Sequence, residues 1–155
     1  MAFKICFTGE PDEYLGEDPN TPYAIGRIVA GALDENFAST LYEWSKCNYE
    51  AQWLHSLERL IAGEQKVVLI TSYVNPGESP NLVWWALYRG KADLMHVQNH
   101  LRFYDQLGSQ FSVDTASTFL DERITLDEDG NRISEWNVSL AEIKLFVDHF
   151  KQMNT

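Results

Sequence analysis

Seven consecutive residues, LVWWALY at positions 82–88, carry no charged side chain. As a strand, this run places Val83, Trp85 and Leu87 on one face and Leu82, Trp84, Ala86 and Tyr88 on the other. Both faces are apolar, so the strand must lie inside a sheet that is covered on both sides. Trp84 and Trp85 are accordingly assigned to core packing rather than to an aromatic binding platform. A chain of 155 residues, 45% hydrophobic, can supply such a core within one domain. Its five Trp, seven Tyr and eight Phe favour a sheet-dominated interior.

The covering elements are visible in the changes of period. SKCNYEAQWLHSLERLIAG brings Tyr49, Trp53, Leu57, Leu60 and Ile61 onto one helical face. Ser45 is a suitable N-cap and Gly63 a suitable stop, which predicts a helix over 46–62. Strand-like runs follow at 66–74, 82–89 and 92–101. They are joined by NPGESPN and by a short turn at Gly90-Lys91, as in an antiparallel meander. Upstream, 3–7, 23–30 and 37–44 read as further strands. Between the first two lies GEPDEYLGEDPNTP, a loop with three prolines, two glycines and five acids. Residues 104–120 fit neither period.

LDEDGNRISEW, at 126–136, begins like a calcium-binding loop. Counted from Asp127, the sixth position holds Arg132 where a glycine must turn the chain. The twelfth holds Val138 where a bidentate glutamate is required. Calcium binding is therefore rejected, and Asp129-Gly130 is read as a hairpin turn between strands at 122–126 and 132–138. Ser139, with Glu142 three residues on, forms a capping box for a second helix over 140–153. Leu140, Ile143, Phe146, Val147 and Phe150 line its apolar face, and Trp136 and Trp53 are assigned to the core.

The familiar catalytic signatures are missing. His96 and His100 have metal-pair spacing for a helix, but on a strand such positions stand roughly 13 Å apart. There is no G-x-S-x-G and no glycine-rich phosphate loop. Asp121 and Glu122, adjacent on the expected strand, would face opposite ways and could not share a pocket. No catalytic residue, metal site or cofactor is expected. Cys6 and Cys47 lack metal spacing and are read as reduced thiols. With no secretory signal and no apolar span, a cytoplasmic location without membrane contact is expected.

The formal net charge is −11. Eight acids face two bases in residues 1–44, six face six in 45–110, and nine face four in 111–155. This field repels a phosphate backbone and attracts a basic protein.

Five segments in this order resemble the immunity proteins of bacterial contact-dependent growth inhibition systems: LYEWSKCNYEAQWLHSLERL, ITSYVNP, VWWALYR, VQNHLRF and DEDGNRISEWNVSL. The resemblance runs from about Leu41 to Phe150. It implies an α+β fold of two twisted antiparallel sheets, about seven or eight strands, with two main helices, similar in shape to Whirly-type single-stranded-DNA-binding proteins. It further implies a non-enzymatic inhibitor that binds, one to one, the C-terminal toxin domain of a large exported effector. The closest branch is paired with ribosomal-RNA nucleases, so the partner is expected to be basic. The residues expected to meet it are the acids of loops and turns: Asp12, Glu13, Glu17, Asp18, Asp127, Glu128 and Asp129. The rival readings are a single-stranded nucleic-acid binder on the same fold, which the charge disfavours, and a small metal-dependent enzyme.

Overall fold

The computed structural model describes residues 2–9, 13–14 and 22–153. Among them are two four-stranded antiparallel sheets and two long helices. The α+β architecture expected from the family resemblance is the one observed.

The first sheet is organised around β3 (Pro22–Ala30). One of its edges takes β1 (Phe3–Phe7) and the two-residue β2 (Glu13–Tyr14), and the other takes β4 (Leu33–Thr40). Sequence reading placed β4 at 37–44. The strand instead begins four residues earlier, straight after a tight reversal that pairs Ala30 with Leu33 and holds Gly31 at φ 62°. Its first half is polar, as suits an outer strand, and Arg27 donates to both carboxylate oxygens of Asp34 at 2.8 and 2.6 Å. Gly26 pairs with Phe37, and a Cβ at Gly26 would stand 2.3 Å from the Phe37 ring. The missing side chain lets that ring lie across the strand and reach Trp53, 5.8 Å away between ring centres.

Helix α1 (Lys46–Ile61) follows, with the Ser45 hydroxyl accepting from the Asn48 amide as N-cap. Tyr49, Trp53, Leu57 and Leu60 are buried along the predicted face. The Tyr49 hydroxyl joins the two sheets: it donates to Thr40 O at 2.7 Å and accepts from the Tyr73 amide at 3.0 Å.

The second sheet runs β5-β6-β7-β8, a meander of β5 (Lys66–Ser72), β6 (Asn81–Arg89), β7 (Leu94–Phe103) and β8 (Trp136–Ser139). Trp84, Trp85, Ala86, Leu87 and Tyr88 are all buried, so β6 is covered on both faces as its composition required. β7 begins two residues later than expected. The turn before it is a 3-10 segment at Lys91–Asp93, with Ala92 and Asp93 in the left-handed region (φ 51° and 61°). The ambiguous stretch holds a four-residue helix, α2 (Tyr104–Leu107), and a 3-10 segment at Val113–Phe119.

The predicted hairpin strands at 122–126 and 132–138 are not regular strands. A single bridge, Leu126 to Arg132, holds the arms through two backbone bonds, Ile133 N–H to Thr125 O and Asp127 N–H to Asn131 O, and only β8 joins the sheet. Two or three residues per arm do not sustain a ladder away from the core. Helix α3 (Leu140–Met153) closes the fold. The Ser139 hydroxyl accepts from the Glu142 amide at 3.2 Å, and Leu140, Ile143 and Val147 are buried.

Candidate partner-binding face

Of the seven acids singled out in the sequence, Asp12, Glu17 and Asp18 lie outside the described residues. Glu13, expected in a loop, is on β2 with its backbone opposite Tyr23. Asp127, Glu128 and Asp129 sit on a turn in which every residue from 121 to 130 is exposed. The Asp127 carboxylate has a local task. One of its oxygens accepts from the amides of Asp129 and Asn131, both at 2.9 Å, while Gly130 takes φ 81°. Asp127 therefore shapes the turn, which leaves Glu128 and Asp129 free to present charge outward.

A polar network beneath the turn fixes this surface to β7. Gln98, fully buried, donates from Nε2 to Ile124 O at 2.9 Å and to Glu135 Oε2 at 2.7 Å. Arg123 completes the clasp by donating from Nε to Glu135 at 2.8 Å, and its hydrogen bond lowers the Glu135 pKa below the ordinary carboxylate value. Lys66 reaches Glu122 at 2.9 Å. Deeper in, Trp84 Nε1 donates to His100 Nδ1 at 3.2 Å, and His100 Nε2 lies 2.9 Å from Gln98 Oε1. Burial, assisted by the charge of Arg102, pushes the His100 pKa down to about 4, so the ring is neutral. The neutral tautomer that accepts at Nδ1 must donate at Nε2, as the Gln98 oxygen requires. His96 is also engaged, with Nδ1 2.7 Å from Asn137 Oδ1.

Between this turn and β7 opens a cleft of about 410 Å³, lined among others by Tyr88, His100, Leu101, Ile124, Asp127 and Glu128. Asp121 and Glu122 line it as well. Contrary to the expectation from a strand, the two share this cleft, because residues 121–124 are not in a strand and backbone alternation does not apply. Leu101 is 48% exposed, Ile124 57% and Leu126 53%. Exposed aliphatic groups ringed by carboxylates are materials for recognising a protein surface. Sequence reasoning singled out the acids but missed Leu101 and Ile124. The alternation in VQNHLRF does put Leu101 on a common face with Val97, but β8 starts only at Trp136, opposite Val97, and leaves the edge at Leu101 unpaired.

The framework is an α+β fold of two antiparallel sheets with an acidic and partly apolar cleft on one margin. Residues 39–146 match the CdiI N-terminal domain, and the chain belongs to that family. The resemblance to contact-dependent growth inhibition immunity proteins is thus borne out. The chain is 28% identical to the immunity protein CdiI of Enterobacter cloacae subsp. cloacae, over 98% of this chain and 99% of that protein. It is similar in structure to a chain of the CdiA-CT/CdiI toxin and immunity complex from Enterobacter cloacae. That similarity has a TM-score of 0.83 and 27% identity, and covers 97% of this chain and 99% of that one. Among the described residues no helix is long and apolar enough to cross a membrane.

Proposed function

We propose that this chain neutralises a cognate contact-dependent growth inhibition toxin by binding its C-terminal domain one to one in the cytoplasm. The toxin is an RNase with a basic RNA-gripping surface, and the inhibitor performs no chemistry of its own. The observation that carries this reading is the end-to-end likeness to an immunity protein and to a toxin and immunity complex.

The electrostatics support it. A net charge of −11 and an acidic cleft margin draw in a basic nuclease, and opposed fields raise association rates by about tenfold to a thousandfold. Fast capture matters against a catalyst, since one escaped molecule cleaves many targets. Steering of this kind is screened by salt. Raising ionic strength should therefore slow association, while dissociation, governed by packed anchors, changes little. Stopped-flow traces with an association rate flat in salt would remove the steering argument.

The direct test uses the C-terminal domain of any large effector encoded beside this gene. Calorimetric titration should give a one-to-one complex with Kd at or below about 10 nM. The same stoichiometry should abolish RNA cleavage. A folded, toxic domain that evolves no heat of binding would refute the reading.

A further inference from the structure

The second sheet ends in an unequal pair of strands. β7 runs over ten residues, but β8 pairs only with its first four, 94–97. The reason lies just before β8, where Ile133 donates to Thr125 O and Arg132 bridges Leu126, so the chain leaves the sheet instead of extending along β7. On the other side, the Gly90 amide donates to Leu94 O and the Tyr104 amide to Pro80 O. Even-numbered residues of β7 thus turn their backbone toward β6, and odd-numbered ones turn it outward. Met95 and Val97 meet Val138 and Trp136. Beyond them the outward groups are those of Asn99, Leu101 and Phe103. Among the described residues the Asn99 N–H and C=O and the Leu101 N–H have no hydrogen-bond partner, and Phe103 N–H has only a long 3.5 Å contact to Gln106. Asn99 is exposed, Leu101 48% exposed and Phe103 43%.

A long, open edge with apolar side chains is ordinarily blunted by charge, proline or a covering element, because it templates pairing with another chain. Here it borders the cleft that Asp121, Asp127 and Glu128 line, in which Leu101 also takes part. We infer that residues 99–103 of β7 receive an extended segment of the toxin domain as an added antiparallel or parallel strand. Backbone hydrogen bonds would supply affinity, and a lysine or arginine of that segment would meet the neighbouring carboxylates. The inference rests on the immunity reading and names the part of the interface that carries it. The alternative occupant, a second copy of this chain, would bring Asp127 and Glu128 of both copies toward one edge and join two molecules each of net charge −11. Charge complementarity therefore selects a basic toxin segment.

The test begins with the wild-type protein and a recombinant toxin domain shown to be its cognate partner by the titration above. In the complex, amide hydrogen exchange at Asn99 and Leu101 should slow by about a hundredfold or more relative to the free protein. Leu101→Pro removes that residue's outward N–H without breaking a bond to β6, so the fold should survive, as thermal denaturation can verify. It should weaken Kd by about a hundredfold, whereas Leu101→Ala, which keeps the N–H, should weaken it by about tenfold or less. Tight wild-type binding with unchanged exchange at both amides would overturn the strand-addition inference and leave the immunity reading standing. So would a folded Leu101→Pro protein that binds within about threefold of wild type. Failure of the wild type to bind would remove both. Protection of Asn99 and Leu101 in the free protein that grows with its own concentration would give the edge to a second copy.

Discussion

The second sheet has two open margins, the outer strand β5 and the part of β7 beyond its pairing with β8, and they resolve the same physical problem differently. In the middle of β5 the outward backbone groups of Val68 and Ile70, four in all, are satisfied by side chains. Ser117 Oγ accepts from Val68 N–H at 3.0 Å, and Gln52 Nε2 donates to Val68 O at 3.0 Å. Gln52 Oε1 accepts from Ile70 N–H at 2.9 Å, and Trp53 Nε1 donates to Ile70 O at 2.6 Å. The Gln52 amide thus acts like one peptide group of a neighbouring strand, supplied by α1. On β7 the Asn99 N–H and C=O and the Leu101 N–H have no such cover among the described residues, and the Leu101 carbonyl has only a long 3.4 Å contact from Arg102. One edge belongs to the folding of the chain, and the other is left for association.

That contrast can be broken most forcefully at Trp53. Trp53→Ala removes a buried indole, opens a cavity against Phe7 and Phe37, and uncaps Ile70 O. A loss of about 3–5 kcal/mol is expected in urea denaturation. Gln52→Leu keeps the bulk but orphans Val68 O and Ile70 N–H, at a cost of about 2–3 kcal/mol. If this variant were as stable as wild type, water would be serving the β5 edge and the contrast would weaken.

A smaller effect comes through pH. The unfolded chain holds a proton on His100 below about 6.5, whereas the folded protein refuses it until about 4. Between those values the unfolded state binds more protons, so stability must fall as pH drops through this window. Glu135, depressed below its ordinary 4.5 by Arg123, adds a loss in the same direction at lower pH. Denaturation midpoints at pH 7 and pH 5 should differ less for His100→Gln than for wild type. The smallest effect is expected at the open edge, where Leu101→Ser should change stability by no more than about 0.5 kcal/mol. A loss like that of Gln52→Leu would mean that Leu101 belongs to the core.

Much of the closed half was legible in the sequence because local chemistry and tertiary need agree there. The double apolar face of 82–88 demanded two covering layers. The Ser45 and Ser139 caps marked helix starts that the structure keeps within a residue. Asp127 to Asn131 read as a turn because Asp and Gly tolerate the backbone it needs. The margins were less legible. β4 was misplaced because its polar start, Asp34-Glu35-Asn36, lacks the alternation of a buried strand, and only pairing with β3 makes it one. The hairpin arms have suitable residues, but only 136–138 of the second find a partner strand, in β7; 122–126 and 132–135 have none beyond their single mutual bridge. The open β7 edge could not be read at all, since it depends on where β8 begins rather than on anything in VQNHLRF.

The most direct test of the contrast is residue-resolved amide hydrogen exchange on the free protein. The account predicts that Val68 and Ile70, the outward amides of β5, exchange slowly with protection approaching that of the core. Asn99 and Leu101, the outward amides of β7, should exchange close to the rate of an unstructured chain. Equal and strong protection at all four, independent of protein concentration, would contradict it, because the β7 edge would then be covered before any partner arrives.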